Sequence, residues 1–245
     1  MLRKFTTINC LGYNIFSDKI ENISLDRDAL ITTINQYSYC LGEKNELFKE
    51  ALRNSDILLP DGVGITHAVK LLGDKDIKKI AGADIHQYLL EKLNQIGGRC
   101  FYMGSSPSTL ATIRERIHRE YPAINVEVYS PPFKKVFSER DNQNMIRAIN
   151  SFKPDVLFVG MTAPKQEQWA YQNRPKLDAR IICCIGAVFD FYAQTVERPK
   201  DIWINMGLEW LIRLIKEPKR MAVRYLYYGP VYLWMILKMR IKGVH

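Results

Sequence analysis

The stretch RCFYMGSSPSTLATIRERIHREYPAINVEVYS, residues 99–130, decides the fold. Its first six residues are a buried-strand run that stops at Gly104, and Gly-Ser-Ser-Pro then supplies turn chemistry. A helix is expected over 108–120, and residues 126–129 return to a strand. Strand, helix and strand within some thirty residues make the unit from which parallel sheets are built.

The same order continues outward. A helix over 142–152 leads to a strand at 155–160 (DVLFVG), a helix over 165–173 and a last strand at 180–186 (RIICCIG). This alternation predicts an α/β fold: a Rossmann-like, mostly parallel sheet covered by helices, with ligands gathering at the carboxyl ends of the strands. Towards the N-terminus the pattern is looser. Strands are expected at 30–35 and 56–59, and helices at 46–53, 65–72 and 84–96. The segment between Asn22 and Leu30 is too short for a full helix.

The 245 residues can bury one substantial core with room for a small appendage, and 47% hydrophobic with 25% charged residues is a globular composition. No internal repeat is visible. The five cysteines show no CxxC or CxxH spacing, which argues for a reducing compartment without disulfides or zinc. The first residues, MLRKFT, lack the apolar run of a signal peptide, so a cytoplasmic location is expected.

Charge divides the chain into a body, 1–200, and a tail, 201–245. Ten Lys and Arg but only three acidic residues lie from Arg198 onward, which gives that end +7 of the net +9. In 203–216, Ile204, Leu208, Leu211 and Ile215 form an apolar stripe, with Asn205, Glu209, Arg213 and Lys216 opposite. Pro218 suits the first turn of a second helix, on which Arg220 and Arg224 share a face. YLYYGPVYLWMIL, 225–237, is almost wholly apolar and precedes Lys238, Arg240 and Lys242. As a helix it reaches about 20 Å, short of the roughly 30 Å hydrocarbon core. An amphipathic helical appendage lying on an anionic membrane surface is therefore expected, the competing reading being plain packing on the body or on a second subunit.

Three strand ends carry candidate chemistry. Pro60-Asp61-Gly62 is either an ordinary turn and helix cap or a carboxylate held at a cleft. Residues 160–167 (GMTAPKQE), with Gln166 and Glu167, form an open loop facing a helix N-terminus, where an anion is favoured. Gly186-Ala187-Val188-Phe189-Asp190 closes the last strand. There is no GxGxxG, GxxxxGK[ST] or GxSxG, and His67, His86, His118 and His245 are scattered. Asp26-Arg27-Asp28 and Asp74-Lys75-Asp76 have the D-x-D form of metal-dependent sugar transferases, but each reads as a polar loop or helix start. No metal and no cofactor is expected. An oxidoreductase would need the missing glycine fingerprint. A non-catalytic membrane or nucleic-acid module would explain the tail but leave the PDG and PKQEQW segments idle.

Taken together, TIN (33–35 read as Thr-Ile-Asn), LLPDGVGI (58–65), IAGAD (80–84), VGMTAPKQEQW (159–169), GAVFDFYA (186–193) and GLEWLIRLIKEPKR (207–220) resemble the WecG/TagA/CpsF family of bacterial glycosyltransferases, in family order over nearly the whole chain. The resemblance implies an inverting transfer of N-acetylmannosamine or a related sugar from a UDP-sugar to a polyprenyl-diphosphate-linked sugar. That would occur in teichoic acid, capsule or exopolysaccharide assembly, peripheral to the inner face of the cell membrane and without nucleic acid. It makes Asp61 the candidate general base, with Thr33, Asn35 and Gln166 in the same pocket and Arg213, Arg220 and Arg224 on an appendage that completes it. Glu167 and Asp190 join the substrate-binding set through their motifs. Two positions depart from the family pattern. Lys79, carried into the substrate-binding set, stands where Arg is usual, which replaces a planar fork by a point charge. Gln194 stands where Gly is common, close to Asp190. An exposed apolar face on the tail could also pair subunits into a homo-oligomer.

Overall fold

The computed structural model of the chain describes residues 5–196, Trp203 and 209–243. Six parallel strands form the central sheet in the order β4-β3-β8-β7-β5-β6, built from β3 (Ala29–Ile34), β4 (Ile57–Pro60), β5 (Arg99–Gly104), β6 (Asn125–Tyr129), β7 (Val156–Gly160) and β8 (Ile181–Cys184). Every residue of β4, β7 and β8 is buried, as expected of a parallel sheet covered on both faces. One face is covered by α4 (Gly82–Ile96) and α5 (Pro107–Glu120), which bring Ile85, Leu89, Leu93, Leu110, Ile113 and Ile117 onto it. The other face carries α6 (Glu139–Phe152) and α7 (Lys165–Asn173) through Met145, Ile149, Trp169 and Ala170. Each buried Leu, Ile or Met side chain among these is worth roughly 1.5–3 kcal/mol relative to exposure.

Carboxylates pin the amino ends of the strands. Asp56 accepts from Leu30 N–H at 2.7 Å and pairs with Arg174 at 2.7 Å, while Asp155 accepts from Arg99 N–H at 2.9 Å. The carboxyl ends are left to loops. Between β3 and β4 lie α1 (Gln36–Gly42) and α2 (Glu46–Arg53), and α3 (Val63–Gly73) follows β4. After β8 the short helix α8 (Val188–Tyr192) begins.

The strands and helices expected from 99–186 are all present; α7 starts where expected, and α5 and α6 start earlier. Ser138 caps α6 with a capping box to Asp141, so that helix begins at Glu139 and not at 142. Asn35 belongs to no strand. It is the N-cap of α1, a helix absent from the sequence reading, and it accepts from Ser38 N–H at 3.0 Å. The antiparallel hairpin of β1 (Thr7–Cys10) and β2 (Tyr13–Phe16) was equally unforeseen. Its turn is Leu11-Gly12 with both φ positive, the geometry that Asn-Gly usually signals.

Three helices end the described chain: α9 (Glu209–Lys216), α10 (Pro218–Ala222) and, beyond a π turn at Val223–Tyr227, α11 (Tyr228–Lys242). The body–tail boundary expected at 200/201 falls in residues outside the described ones, as do Ile204, Asn205 and Leu208. Ile215 is 68% exposed, while Arg213 on the same helix is half-buried, so the stripe does not face inward as a unit. Helix α11 buries Tyr232 and Ile236 in the cluster formed by the hairpin, α1 and α3. The Tyr232 hydroxyl donates to Gly64 O at 3.0 Å, and its ring meets Tyr39 edge-on at 5.6 Å. Pro230 falls in the first turn of α11, where a missing N–H is tolerated. Among the described residues no helix is long and apolar enough to cross a membrane.

Candidate active site

All six strands of the sheet end at one cleft of 1280 Å³. It lies over the point where connections diverge: β5 runs on to β6 at one edge, and β7 turns back to β8 on the other side. There the two backbones meet too closely for side chains. A Cβ on Gly104, whose φ is +133°, would lie 2.2 Å from Gly160 O, and one on Gly160 would lie 2.5 Å from the Phe189 ring. Two glycines thus let β5, β7 and α8 close up at the cleft floor.

Six helices among the described residues begin at this cleft, including α1, capped by Asn35, and α8, which opens at Ala187 and Val188. Asp61 precedes α3, Ala81 and Gly82 start α4, Ser106 and Pro107 start α5, and Pro164 and Lys165 start α7. Their aligned dipoles and first-turn N–H groups make the cleft floor favourable for anions. Asp61 N–H donates to Ile34 O at 2.9 Å, which fixes the residue beside the end of β3. Gly62, φ +116°, then turns the chain into α3, and a Cβ there would lie 3.3 Å from Gln36 Oε1. Asp61, Thr33 and Asn35 line the same wall. Because the Asn35 oxygen caps α1, the group it can offer a ligand is its NH2.

The opposite wall comes from residues 160–168 and 185–191. Met161 N–H donates to Gln166 Oε1 at 3.2 Å, and Gln166 Nε2 donates to Glu167 Oε1 at 2.8 Å. Burial pushes the Glu167 carboxyl up to about 7, against the lowering effect of that hydrogen bond. Lys165 is turned to Lys134 O and lies 3.5 Å over the Phe137 ring, with its ammonium lowered by burial. Asp190 lines the cleft, and its carbonyl accepts from Thr195 N–H at 3.0 Å and Val196 N–H at 3.3 Å. Between these bonds Gln194 adopts φ +56°, a left-handed conformation in which glycine is unstrained.

The C-terminal helices reach the cleft through two arginines. Arg213 stands 5.3 Å over Phe191, and Arg224 stands 4.6 Å over Tyr37; all four line the cleft. Of the residues expected at the site, Thr33, Asn35, Asp61, Gln166, Glu167, Asp190, Arg213 and Arg224 come together there. Lys79 does not line it; the residue is half-buried on the segment between α3 and α4. Arg220 falls on α10, with its side chain outside the described residues. Sequence reasoning passed over Ser105, Ser106, Tyr37 and the 130–137 loop with Lys134 and Lys135. Ser106-Pro107 carried a usable signal, since a Ser cap before Pro directly after a strand repeats the logic applied to Pro164-Lys165. Asp74 and Asp76, of the second D-x-D sequence, both engage Lys70, at 3.4 and 3.0 Å.

Comparison with known proteins matches residues 5–245 to the glycosyl transferase WecG/TagA/CpsF family. Over 225 residues the chain is 30% identical to an N-acetylglucosaminyldiphosphoundecaprenol N-acetyl-β-D-mannosaminyltransferase of Bacillus spizizenii, covering 91% of this chain and 85% of that protein. A protein of the same description from Bacillus subtilis is 28% identical over 207 residues, 84% of this chain and 79% of its own length. The motifs quoted above lie within the matched span and each contributes a described residue to the cleft, and the chain belongs to the WecG/TagA/CpsF glycosyltransferase family.

Proposed function

We propose that the protein moves N-acetylmannosamine, or a closely related hexose derivative, from a UDP-sugar to a sugar borne on a polyprenyl diphosphate, with inversion at the anomeric carbon. The observation that carries this reading is the position of Asp61: a carboxylate at the end of β4, in an anion-favouring cleft onto which helix N-termini and Arg213 and Arg224 converge. The names of the two relatives supply the acceptor class and the sugar. In the transfer, the Asp61 carboxylate takes the proton of the acceptor hydroxyl as its oxygen attacks the anomeric carbon. The bond to the diphosphate breaks on the opposite side, and UDP leaves with the electron pair. Base assistance of this kind contributes typically ~10²–10⁴-fold. The growing charge on UDP is met by helix N–H groups and arginines, so that a metal ion is not required for it.

The acceptor brings this enzyme to the cytoplasmic face of the cell membrane, and α11 offers a surface for it. Leu233, Trp234, Leu237 and Ile241 are 56–85% exposed along one side of α11, continuous with exposed Val223, Leu226 and Tyr227, and Lys238 stands 4.8 Å over Trp234. Exposed aromatics flanked by lysines are the make-up of an interfacial helix. The deciding assay gives wild type and Asp61→Ala UDP-N-acetylmannosamine with a lipid-diphosphate N-acetylglucosamine analogue. UDP release by wild type alone, unchanged in excess EDTA, is expected. Equal release from both proteins removes Asp61 from the mechanism, and loss in EDTA removes the metal-free reading.

A further inference from the structure

We infer that Glu167 is a positioning residue for sugar transfer: it holds the Gln166 carboxamide in one of its two orientations, so that a fixed N–H faces the cleft. This rests on the reading above, in which Gln166 belongs to the substrate pocket.

A carboxamide is nearly symmetric in shape but not in chemistry, since one end donates and the other accepts. Gln166 is gripped at both ends. Met161 N–H requires an acceptor, and it meets Oε1; the Glu167 carboxyl accepts from Nε2. A flipped amide would set its NH2 against the Met161 N–H and its oxygen against the carboxylate. Gly186 lies beside the amide, so close that a Cβ there would sit 3.3 Å from Nε2 and 3.4 Å from Oε1. What remains for a ligand is one Nε2 hydrogen and one lone pair of Oε1.

The condition of Glu167 supports a purpose other than stability. The residue is 2% exposed, and its Oε2 has no hydrogen-bond partner. Among the described residues no Lys or Arg pairs with it. On its own helix, Lys165 is directed away, to Lys134 O and Phe137. At the cap of α2, Asn45 meets Gln168 and not Glu167. From β8 it faces Cys184, whose thiol burial and then the Glu167 charge push well up, and whose Sγ contacts Gln166 O at 3.8 Å. A buried, unpaired carboxyl is unfavourable, and an apolar side chain of that size would pack at less cost. Among the described residues, the hydrogen bond to Gln166 is the side-chain contact in which its charge is used.

Glu167→Leu keeps volume without an acceptor, and Glu167→Gln keeps an acceptor without the charge. Turnover of UDP-N-acetylmannosamine with the lipid-linked acceptor should fall about 10–100-fold in kcat for Glu167→Leu, the range for losing the partner that orients a site residue, with KM for the donor little changed. Glu167→Gln should recover most of it. In ¹⁵N-labelled protein the Gln166 side-chain amide signals, assigned through Gln166→Leu, should be sharp and slow to exchange in wild type and in Glu167→Gln, and lose both properties in Glu167→Leu. Full activity of Glu167→Leu overturns the inference. Equal loss in both variants also overturns it, and marks the carboxyl as a substrate contact instead. If wild type releases no UDP, the proposed reaction fails while the amide signals still report whether Glu167 holds Gln166.

Discussion

The Arg224 guanidinium lies 4.6 Å from the ring centre of Tyr37, and Tyr37 is backed edge-on by Tyr228 at 5.1 Å. One ring of α1 thus joins a cation from the C-terminal helices to the wall that holds Asn35 and Asp61. Attraction of a cation to an aromatic face is worth ~0.5–2 kcal/mol, and a guanidinium adds a planar contact that an ammonium lacks.

Replacing that ring should therefore lower activity without unfolding the protein. Tyr37→Leu is expected to reduce kcat/KM by about 2–30-fold, the equivalent of the stacking energy. Tyr37→Phe keeps the face and should change it little, and Arg224→Lys, which keeps the charge but not its plane, should fall between the two. UDP release by the four proteins checks this. An Arg224→Lys enzyme at wild-type rate would mean that planarity at this position is irrelevant.

Glycines at the cleft floor give a test on the fold. Gly104→Ala puts a methyl 2.2 Å from Gly160 O at φ +133°, a clash with backbone that cannot swing aside. Overpacking and the disfavoured dihedral together should destabilise by about 2–6 kcal/mol in urea unfolding. Gly229→Ala is the contrast. No atom lies within 4 Å of the added methyl on α11, and helix propensity should give about 0.5–1 kcal/mol of stability. Similar values for both would mean that the close approach of β5 to β7 is not a constraint.

The sheet was legible because buried parallel strands are short continuous apolar runs, as in DVLFVG and RIICC, and because Gly and Pro mark their ends. The hairpin and α1 were not. Leu11 at φ +61° does not announce a turn, and TIN reads as a strand running on until Asn35 is seen to cap a helix. At the site, residues inside motifs were within reach of the sequence. Tyr37, Ser105 and the 130–137 loop were not, since they face the cleft only once β3, β5 and β6 stand in one sheet. The direction of Arg213 was likewise hidden, because a helix wheel cannot say which face meets Phe191.

Gln194 shows what a departure from the family pattern costs. It holds φ +56°, donating from its N–H to Phe191 O at 3.1 Å, beside the turn that closes on Asp190 O. A left-handed residue with a side chain bears strain of about 1 kcal/mol that glycine does not. Gln194→Gly should raise stability by up to about 1 kcal/mol, less the greater freedom of glycine in the unfolded chain, and leave turnover intact. A large loss of activity would show that the side chain, and not the backbone turn, serves the site.

Glu167 sets stability against function, and pH separates them. Its carboxyl is raised from 4.5 to about 7 by burial. Between those values the native protein keeps a proton that the unfolded chain has released, so stability falls as pH rises from 4.5 through 7. Above 7 the whole penalty, about 3 kcal/mol, applies, and below 4.5 none of it does. Glu167→Leu and Glu167→Gln remove this titration. Each should be more stable than wild type at pH 8 by up to about 3 kcal/mol in urea unfolding, and the advantage should shrink towards pH 5. Glu167→Leu would then be the more stable and the less active protein, the pattern of a residue kept for the site at the expense of the fold. A wild type as stable at pH 8 as these variants would mean that the buried carboxyl carries no such burden, and that its place beside Gln166 is ordinary packing.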